Sequence, residues 1–471
     1  MEDFDWFAPL PNPGTTTVLE ASAGTGKTYT IAGMVARFVS EGVPLGQVLA
    51  VTFSRRATAE LREGIRDRLV TSRATLQRVI DGGPVGNDDV DRVLTAAEPE
   101  LLATRLGRVE QALGQVDDAP IVTLHTFAKR MLDELGLLAD HDRTVELGSD
   151  LDVLADEVIA DVYLSDEQWQ RLDWAYASML GRAANNHPSE QLHPPGADCA
   201  LRVGFAEAVR AEIDRRKHVL RVLSYDDMIG RLAATLTDPG TGSAAAELLS
   251  SRFRVVLVDE FQDTDPQQWQ FLEAGFHGRA TMMLIGDPKQ AIYRFRGGDV
   301  ETYSAARARA DRVLRLGTNY RSDIAVVQGI ERLFGPIDLG TPGAAIRLTQ
   351  INARHTRPRI RGGPDQPDEM VRIRAIDTDA PLRVESAREA IQADLLAQVD
   401  LLLSGRYELR NDAGEWRRVS PDDIAVLVSW NKVGQQVHEL LAANGQPSVF
   451  SGESSVFTTQ AAADWLVLLE A

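Results

Sequence analysis

Cysteine is all but missing from this sequence. Cys199 stands alone, which excludes a disulfide framework and any four-cysteine zinc or iron–sulfur centre. The eight histidines are scattered without metal-ligand spacing. No apolar run approaches a membrane span, and the acidic start Met1-Glu2-Asp3-Phe4-Asp5 lacks the basic character of a secretory signal. A cytoplasmic protein without membrane contact is therefore expected. Lysine is scarce, confined to Lys27, Lys129, Lys217, Lys289 and Lys432, and arginine carries the rest of the positive charge. The net charge of −19 excludes a chain that is basic throughout, but leaves room for a local basic groove on nucleic acid. Internal repeats and low-complexity tracts are absent too. The 471 residues, 44% hydrophobic and 25% charged, suit a soluble protein of two to four domains.

What the sequence does have is a run of acidic and polar residues, Asp259-Glu260-Phe261-Gln262-Asp263-Thr264, directly behind the apolar stretch 253–258. Such a stretch reads as a buried strand, and carboxylates at its end are costly unless a charged ligand faces them. In open parallel α/β sheets, ligands bind at that strand end. Upstream, Ala21-Ser22-Ala23-Gly24-Thr25-Gly26-Lys27-Thr28 fits a phosphate-binding loop, with Ala21 where the first glycine is usual. Gly24 and Gly26 let backbone N–H groups converge on phosphate oxygens at a helix N-terminus. Lys27 would neutralise the β- and γ-phosphates, and the Thr28 hydroxyl would coordinate Mg²⁺. Asp259 is the second anchor expected for the metal, and Glu260 is placed to activate water. The bland alternatives are a glycine-rich turn and a solvated acidic surface; the strand before each motif argues against both.

The hydrophobic pattern places strands at 15–20, 48–53, 121–124, 254–259, 281–286 and 311–316, with a helix over 55–69. This order predicts an α/β parallel sheet with a helical insertion. The first domain is expected over 1–134 and 221–334, the insertion over 135–220 with a loop at 185–196, and a linker over 335–368. A second α/β unit is expected over 369–471, with strands at 370–376 and 424–429 and helices near 383–403 and 432–443. The last apolar helix, from 458, has no stop signal, so the sequence reads as ending inside a domain.

These residues resemble the UvrD/Rep-type superfamily 1 DNA helicases, and within them the RecB-type subunit, the exodeoxyribonuclease V β chain. The resemblance is carried by EASAGTGKTYT (20–30), VTFSRRATAEL (51–61), TLHTFAKRM (123–131), SYDDM (224–228), VDEFQDTDPQQW (258–269), IGDPKQAIYRFRGG (285–298), NYRS (319–322) and DIAVLV (423–428). It implies a P-loop NTPase fold of the RecA-like type, with the unit over 369–471 as a partial second RecA-like domain. It implies ATP and Mg²⁺ as cofactors and 3′–5′ movement on DNA. It also implies that Gln290 senses the γ-phosphate, that Arg321 contacts it, and that Tyr320 packs on the adenine. Tyr29 stands where many relatives carry an arginine, so that an aromatic clamp on the base is open. The upstream glutamine that reads adenine is missing, so strict ATP preference is not implied. Gln262 and Asp263 would connect the catalytic pair to neighbouring motifs.

For DNA, the resemblance implies base stacking on Tyr293 and Phe295 with Arg296 behind them, worth roughly 1–3 kcal/mol per base. Without it, these aromatics read as ordinary core. Thr52, Phe53, Arg55, His125 and Thr126 would touch the phosphate backbone from one sheet edge. The implied partners are single-stranded and duplex-end DNA and RecC-like and RecD-like subunits, in double-strand-break repair. Segments resembling TIHKAKGLE and ALTRA, and a nuclease domain, are not found within residues 1–471. Two readings stay open: an ATP-dependent helicase subunit, or an ATP- and DNA-binding module that does not cycle alone. Nuclease activity is not expected of this chain.

Overall fold

The computed structural model describes residues 1–136, 146–147, 151–186, 199–292, 299–341, 344–362, 370–378, 381–411, 413–451 and 460–470. They fall into two units, Met1–Asn319 with Pro336–Gln350, and Tyr320–Gly335 with Ile351–Ala471.

The first unit begins with β1 (Glu2–Asp3), β2 (Thr16–Glu20), α1 (Lys27–Ser40), β3 (Val48–Thr52), α2 (Arg55–Ile80), α3 (Asp89–Thr95), α4 (Pro99–Leu113), β4 (Ile121–Thr123) and α5 (Leu124–Leu135). The middle of the chain supplies β5 (Glu146–Leu147), α6 (Leu151–Ser165), α7 (Trp174–Asn186), α8 (Ala200–Leu220) and β6 (Val222–Leu223). It then returns to the sheet through α9 (Tyr225–Thr237), α10 (Gly242–Arg252), β7 (Val255–Val258), α11 (Pro266–Phe276), β8 (Thr281–Gly286), α12 (Val300–Arg309) and β9 (Arg312–Arg315). Seven strands form one sheet in the order β1-β9-β2-β8-β7-β3-β4, and every pairing in it is parallel. This is the P-loop, RecA-like α/β class expected from the sequence.

The sheet is covered on both faces, which is why its central strands read as continuous apolar runs. Alternation assigns the faces. Val256 and Val258 of β7 join a core with Phe127, Leu232, Phe271 and Phe276. Val255 and Leu257 join the opposite core with Ile31, Val35, Leu61 and Leu69. α2 runs to Ile80 rather than to the expected 69, because Leu69, Ser72, Thr75 and Leu76 keep a buried stripe and no glycine follows Leu69 before Gly82. The three helices α6, α7 and α8 have their own core around Val158, Ile159, Phe205, Val209 and Ile213, the helical insertion that the sequence pattern anticipates. Most of the loop expected at 185–196 lies outside the described residues.

The second unit contains most of β10 (Thr318–Asp323), then α13 (Ile324–Phe334), β11 (Asn352–His355), β12 (Ile360–Gly362), α14 (Val384–Leu403), β13 (Tyr407–Arg410), β14 (Trp416–Arg418), α15 (Asn431–Ala443) and α16 (Gln460–Glu470). β10 pairs with β11, and β12, β13 and β14 form an antiparallel sheet. The strands expected at 370–376 and 424–429 do not form: the described residues there have no regular secondary structure. Their apolar side chains lack a neighbouring strand to cover them, with Ile373 76% and Leu427 94% exposed. β11 and β12 instead arise inside the stretch expected as linker, where β10 and β13 supply partners. Among the described residues no helix is long and apolar enough to cross a membrane.

Candidate functional site

The phosphate loop is built where β2 ends. Ala21 extends the strand ladder through its N–H to the Gly286 carbonyl, at 3.0 Å. Its methyl is buried, and its φ is not positive, so a glycine is not required there. The turn that follows does require glycine: Gly24 has φ +77° and Gly26 φ +85°, in the left-handed region that other residues avoid. The loop is braced by Thr25, whose N–H and hydroxyl both donate to the Ser22 carbonyl at 3.1 and 2.7 Å. A further brace comes from Asn319, which donates to the Ala23 carbonyl at 2.9 Å. This role of Asn319 is not legible in the block 319–322, because a bond to a distant loop carbonyl leaves no trace in local sequence. Gly26 is the N-cap of α1 and no side chain caps it, so Lys27, Thr28 and Tyr29 form an open first turn facing an incoming anion.

Asp259 and Glu260 reach the same place from β7. In the sheet order, β8 lies between β2 and β7, so Lys27 must span about 10 Å, two strand spacings. It does: its ammonium lies 3.6 Å from Asp259 Oδ1 and pairs directly with Glu260 Oε1. Asp259 continues the ladder, its N–H donating to the Val51 carbonyl at 2.9 Å, and is 7% exposed. Burial raises its carboxyl above the usual range, Lys27 opposes this, and Glu260 adds to it. Glu260 adopts φ +52°, ψ +38°, a left-handed conformation shared among non-glycine described residues only by Arg221. That costs on the order of 1–3 kcal/mol, and it directs the carboxylate toward Lys27. The hydroxyl of Thr28 and the carboxylate of Asp259 are hard oxygen donors of the kind Mg²⁺ takes. A buried carboxylate whose burial disfavours its own charge fits that cation.

Beyond β8, the Asp287 carboxylate accepts from Lys289 Nζ at 2.7 Å and from Gln290 Nε2 at 2.8 Å. Gln262, 2% exposed, bridges the two strand ends by hydrogen bonds to Glu260 and to the Asp287 N–H. Tyr29 is held in α1 by its hydroxyl, which donates to Asp88 at 2.7 Å, and by an edge-on contact with Trp6 at 6.0 Å between centroids. Burial, and then Asp88, pushes the phenol well above its ordinary range. Arg68 holds Asp88 and Asp91 behind it.

The residues expected on DNA divide. Thr52 is completely buried, its hydroxyl bonded to Thr58 at 2.6 Å and to the Ser54 carbonyl at 3.2 Å, so it braces the turn into α2. Phe53 is half-buried and Arg55 exposed just beyond it. Thr52 is in register with Thr123, which brings His125 and Thr126 to the same sheet edge. Thr126 is exposed, and His125 lies edge-on to Tyr225 at 5.2 Å. Burial lowers the pKa of His125, against a smaller opposing effect of Asp226. Tyr293, Phe295 and Arg296 lie outside the described residues. Tyr320, 57% exposed, and Arg321 belong to the second unit. There the Tyr320 carbonyl accepts from the His355 ring at 3.0 Å, and the Arg321 carbonyl accepts from Arg359.

Comparison with known proteins agrees with this fold. Residues 3–311 match the UvrD/REP helicase N-terminal domain. Over its whole length the chain is 41% identical to the RecBCD enzyme subunit RecB of Mycolicibacterium smegmatis, covering 43% of that protein. It is 27% identical to the Escherichia coli RecB subunit over 96% of the chain and 49% of the relative. The ATP-dependent DNA helicase UvrD2 of Mycobacterium bovis is 28% identical over 80% of the chain and 49% of its own length. The chain thus spans about half the length of the curated relatives it matches.

Proposed function

This chain belongs to the UvrD/REP helicase family, and from that premise we propose that it is the ATPase-bearing part of an ATP-dependent DNA helicase subunit of the RecB type. One observation carries the reading. Lys27, at the open N-terminus of α1, meets Asp259 and Glu260 at the end of a neighbouring strand.

Lys27 and the N–H groups of the loop bind the β- and γ-phosphates, and the nucleotide draws the ammonium from Glu260. Glu260, freed of that pairing, accepts a proton from the attacking water. Thr28 and Asp259 are the residues that would hold Mg²⁺, whose charge would offset that building on the phosphate oxygens. Asn319 keeps the loop open through Ala23. Tyr29 offers a fixed aromatic face for the base, with Tyr320 and Arg321 as the further nucleotide contacts and Gln290 as the γ-phosphate sensor. Phe53, Arg55, His125, Thr126, Tyr293, Phe295 and Arg296 contact single-stranded DNA, and Thr52 supports them from within. We further propose 3′–5′ movement in the cytoplasm, as the family resemblance implies; the RecBCD names of the relatives support a RecBCD-like repair assembly with RecC-like and RecD-like partners.

ATP hydrolysis by the purified chain, with and without single-stranded oligonucleotide, tests this. DNA should stimulate hydrolysis several-fold, an effect that weakens as salt rises. Lys27→Ala should abolish nucleotide binding. No stimulation would favour the ATP- and DNA-binding module that does not cycle alone, and intact nucleotide binding by Lys27→Ala would refute the phosphate site.

A further inference from the structure

Gln262 is an amide set among carboxylates, and a buried amide needs partners at both ends. Its Nε2 donates to Glu260 Oε2 at 2.7 Å, and its Oε1 accepts from the Asp287 N–H at 2.9 Å. A longer contact of 3.5 Å runs from Nε2 to Asp263 Oδ2. The backbone donor fixes which way the amide faces: its oxygen must meet the N–H, so its NH₂ must meet the carboxylates. Glu260 is thereby held on both oxygens, by Lys27 on Oε1 and by Gln262 on Oε2.

The far end of this bridge is equally constrained. Asp287 is 2% exposed and gathers Lys289 and Gln290 onto its carboxylate. One hydrogen-bonded path therefore runs from Glu260 through Gln262 and Asp287 to Gln290. Space for it exists because β8 ends in glycine: a Cβ at Gly286 would lie 2.6 Å from Gln262 Oε1.

We infer that Gln262 is a positioning residue for hydrolysis. It aims Glu260 and ties that carboxylate to the turn carrying Gln290, so that movement of the turn is transmitted to the group that activates water. The inference rests on Glu260 being the base, as proposed above. A purely structural role, joining the ends of β7 and β8, is the competing account, and a double-mutant cycle separates the two.

The experiment uses the 1–471 chain as wild type, Gln262→Met, Glu260→Gln and the double variant, in single-turnover MgATP hydrolysis alongside binding of a fluorescent ATP analogue. Gln262→Met should bind the analogue within about threefold of wild type and hydrolyse about tenfold more slowly or worse. In the Glu260→Gln background the same change should alter the rate by less than about twofold, because the group it positions is gone. Gly286→Ala, which displaces the amide without removing it, should slow hydrolysis in the same direction and serves if Gln262→Met does not fold. Where turnover is too slow to follow, affinity for ADP with aluminium fluoride replaces it, with a loss of about tenfold expected in Gln262→Met. Losses that multiply in the double variant, or a Gln262→Met protein indistinguishable from wild type in rate and aluminium-fluoride affinity, would overturn the inference alone. A wild-type chain that binds no nucleotide would overturn the phosphate-site reading, and this inference with it.

Discussion

At Asp265, helix capping and burial pull in opposite directions. Its carboxylate caps α11 by accepting the Gln268 N–H at 2.8 Å, and Gln268 returns a bond to the Asp265 N–H at 3.3 Å. Burial nevertheless pushes the carboxyl up to about 6, with Asp226 adding repulsion. Since the folded-state value lies above the unfolded one, the native protein holds this proton more tightly. The charge is therefore a cost to folding above about pH 6, and that cost fades as pH falls toward 4. Asparagine caps as well as aspartate does. Asp265→Asn should melt above its parent at about pH 7.5 and lose that advantage near pH 4; thermal denaturation at both values checks it, and a lower melting point at the higher pH would contradict it. Asp263 is raised similarly, to about 6, by burial and by Glu260. At this scale Lys27, Asp259 and Glu260 were legible in the sequence because each sits in a local motif whose backbone dictates its place. That Gln262 links the catalytic pair to a neighbouring motif was expected, but its particular bond to the Asp287 N–H and that of Asn319 to Ala23 were not legible, because each depends on which strand ends lie side by side.

Among the elements, β3, β7 and β8 were readable because they are apolar on both faces, a signal that two covering helix layers impose, and β2 because β-branched residues lead into the glycine-rich loop. β1 is two residues long and carries no pattern; it exists only through its pairing with β9. The apolar-rich stretches at 370–376 and 424–429 show the reverse, a strand-like pattern without a strand to pair with. The α1 helix was foreseen from its loop, but its close packing on the N-terminal segment was not. Gly33 allows that packing: a Cβ there would lie 2.5 Å from the Trp6 ring and 2.9 Å from Val90. Gly33→Ala should destabilise the protein by about 1–3 kcal/mol through overpacking, measured by denaturant unfolding. Its effect should shrink in a Trp6→Ala background, and unchanged stability of the single variant would show that the contact is relaxed at no cost.

For the whole molecule, a net charge of −19 sits beside a sheet edge where Phe53, Arg55, His125 and Thr126 converge. Local placement, rather than the total, decides whether such a chain meets DNA. The seven-stranded parallel sheet explains the nucleotide site in the same terms, because its strand order carries Lys27 across β8 to the carboxylates of β7. We propose that this meeting point hydrolyses a nucleoside triphosphate with Glu260 as the base. This central claim is tested most directly by Glu260→Gln, followed for MgATP binding and MgATP hydrolysis in one preparation. Binding should stay within a few-fold of wild type while hydrolysis falls by on the order of 10²-fold or more. Hydrolysis persisting at the wild-type rate would exclude Glu260 as the base.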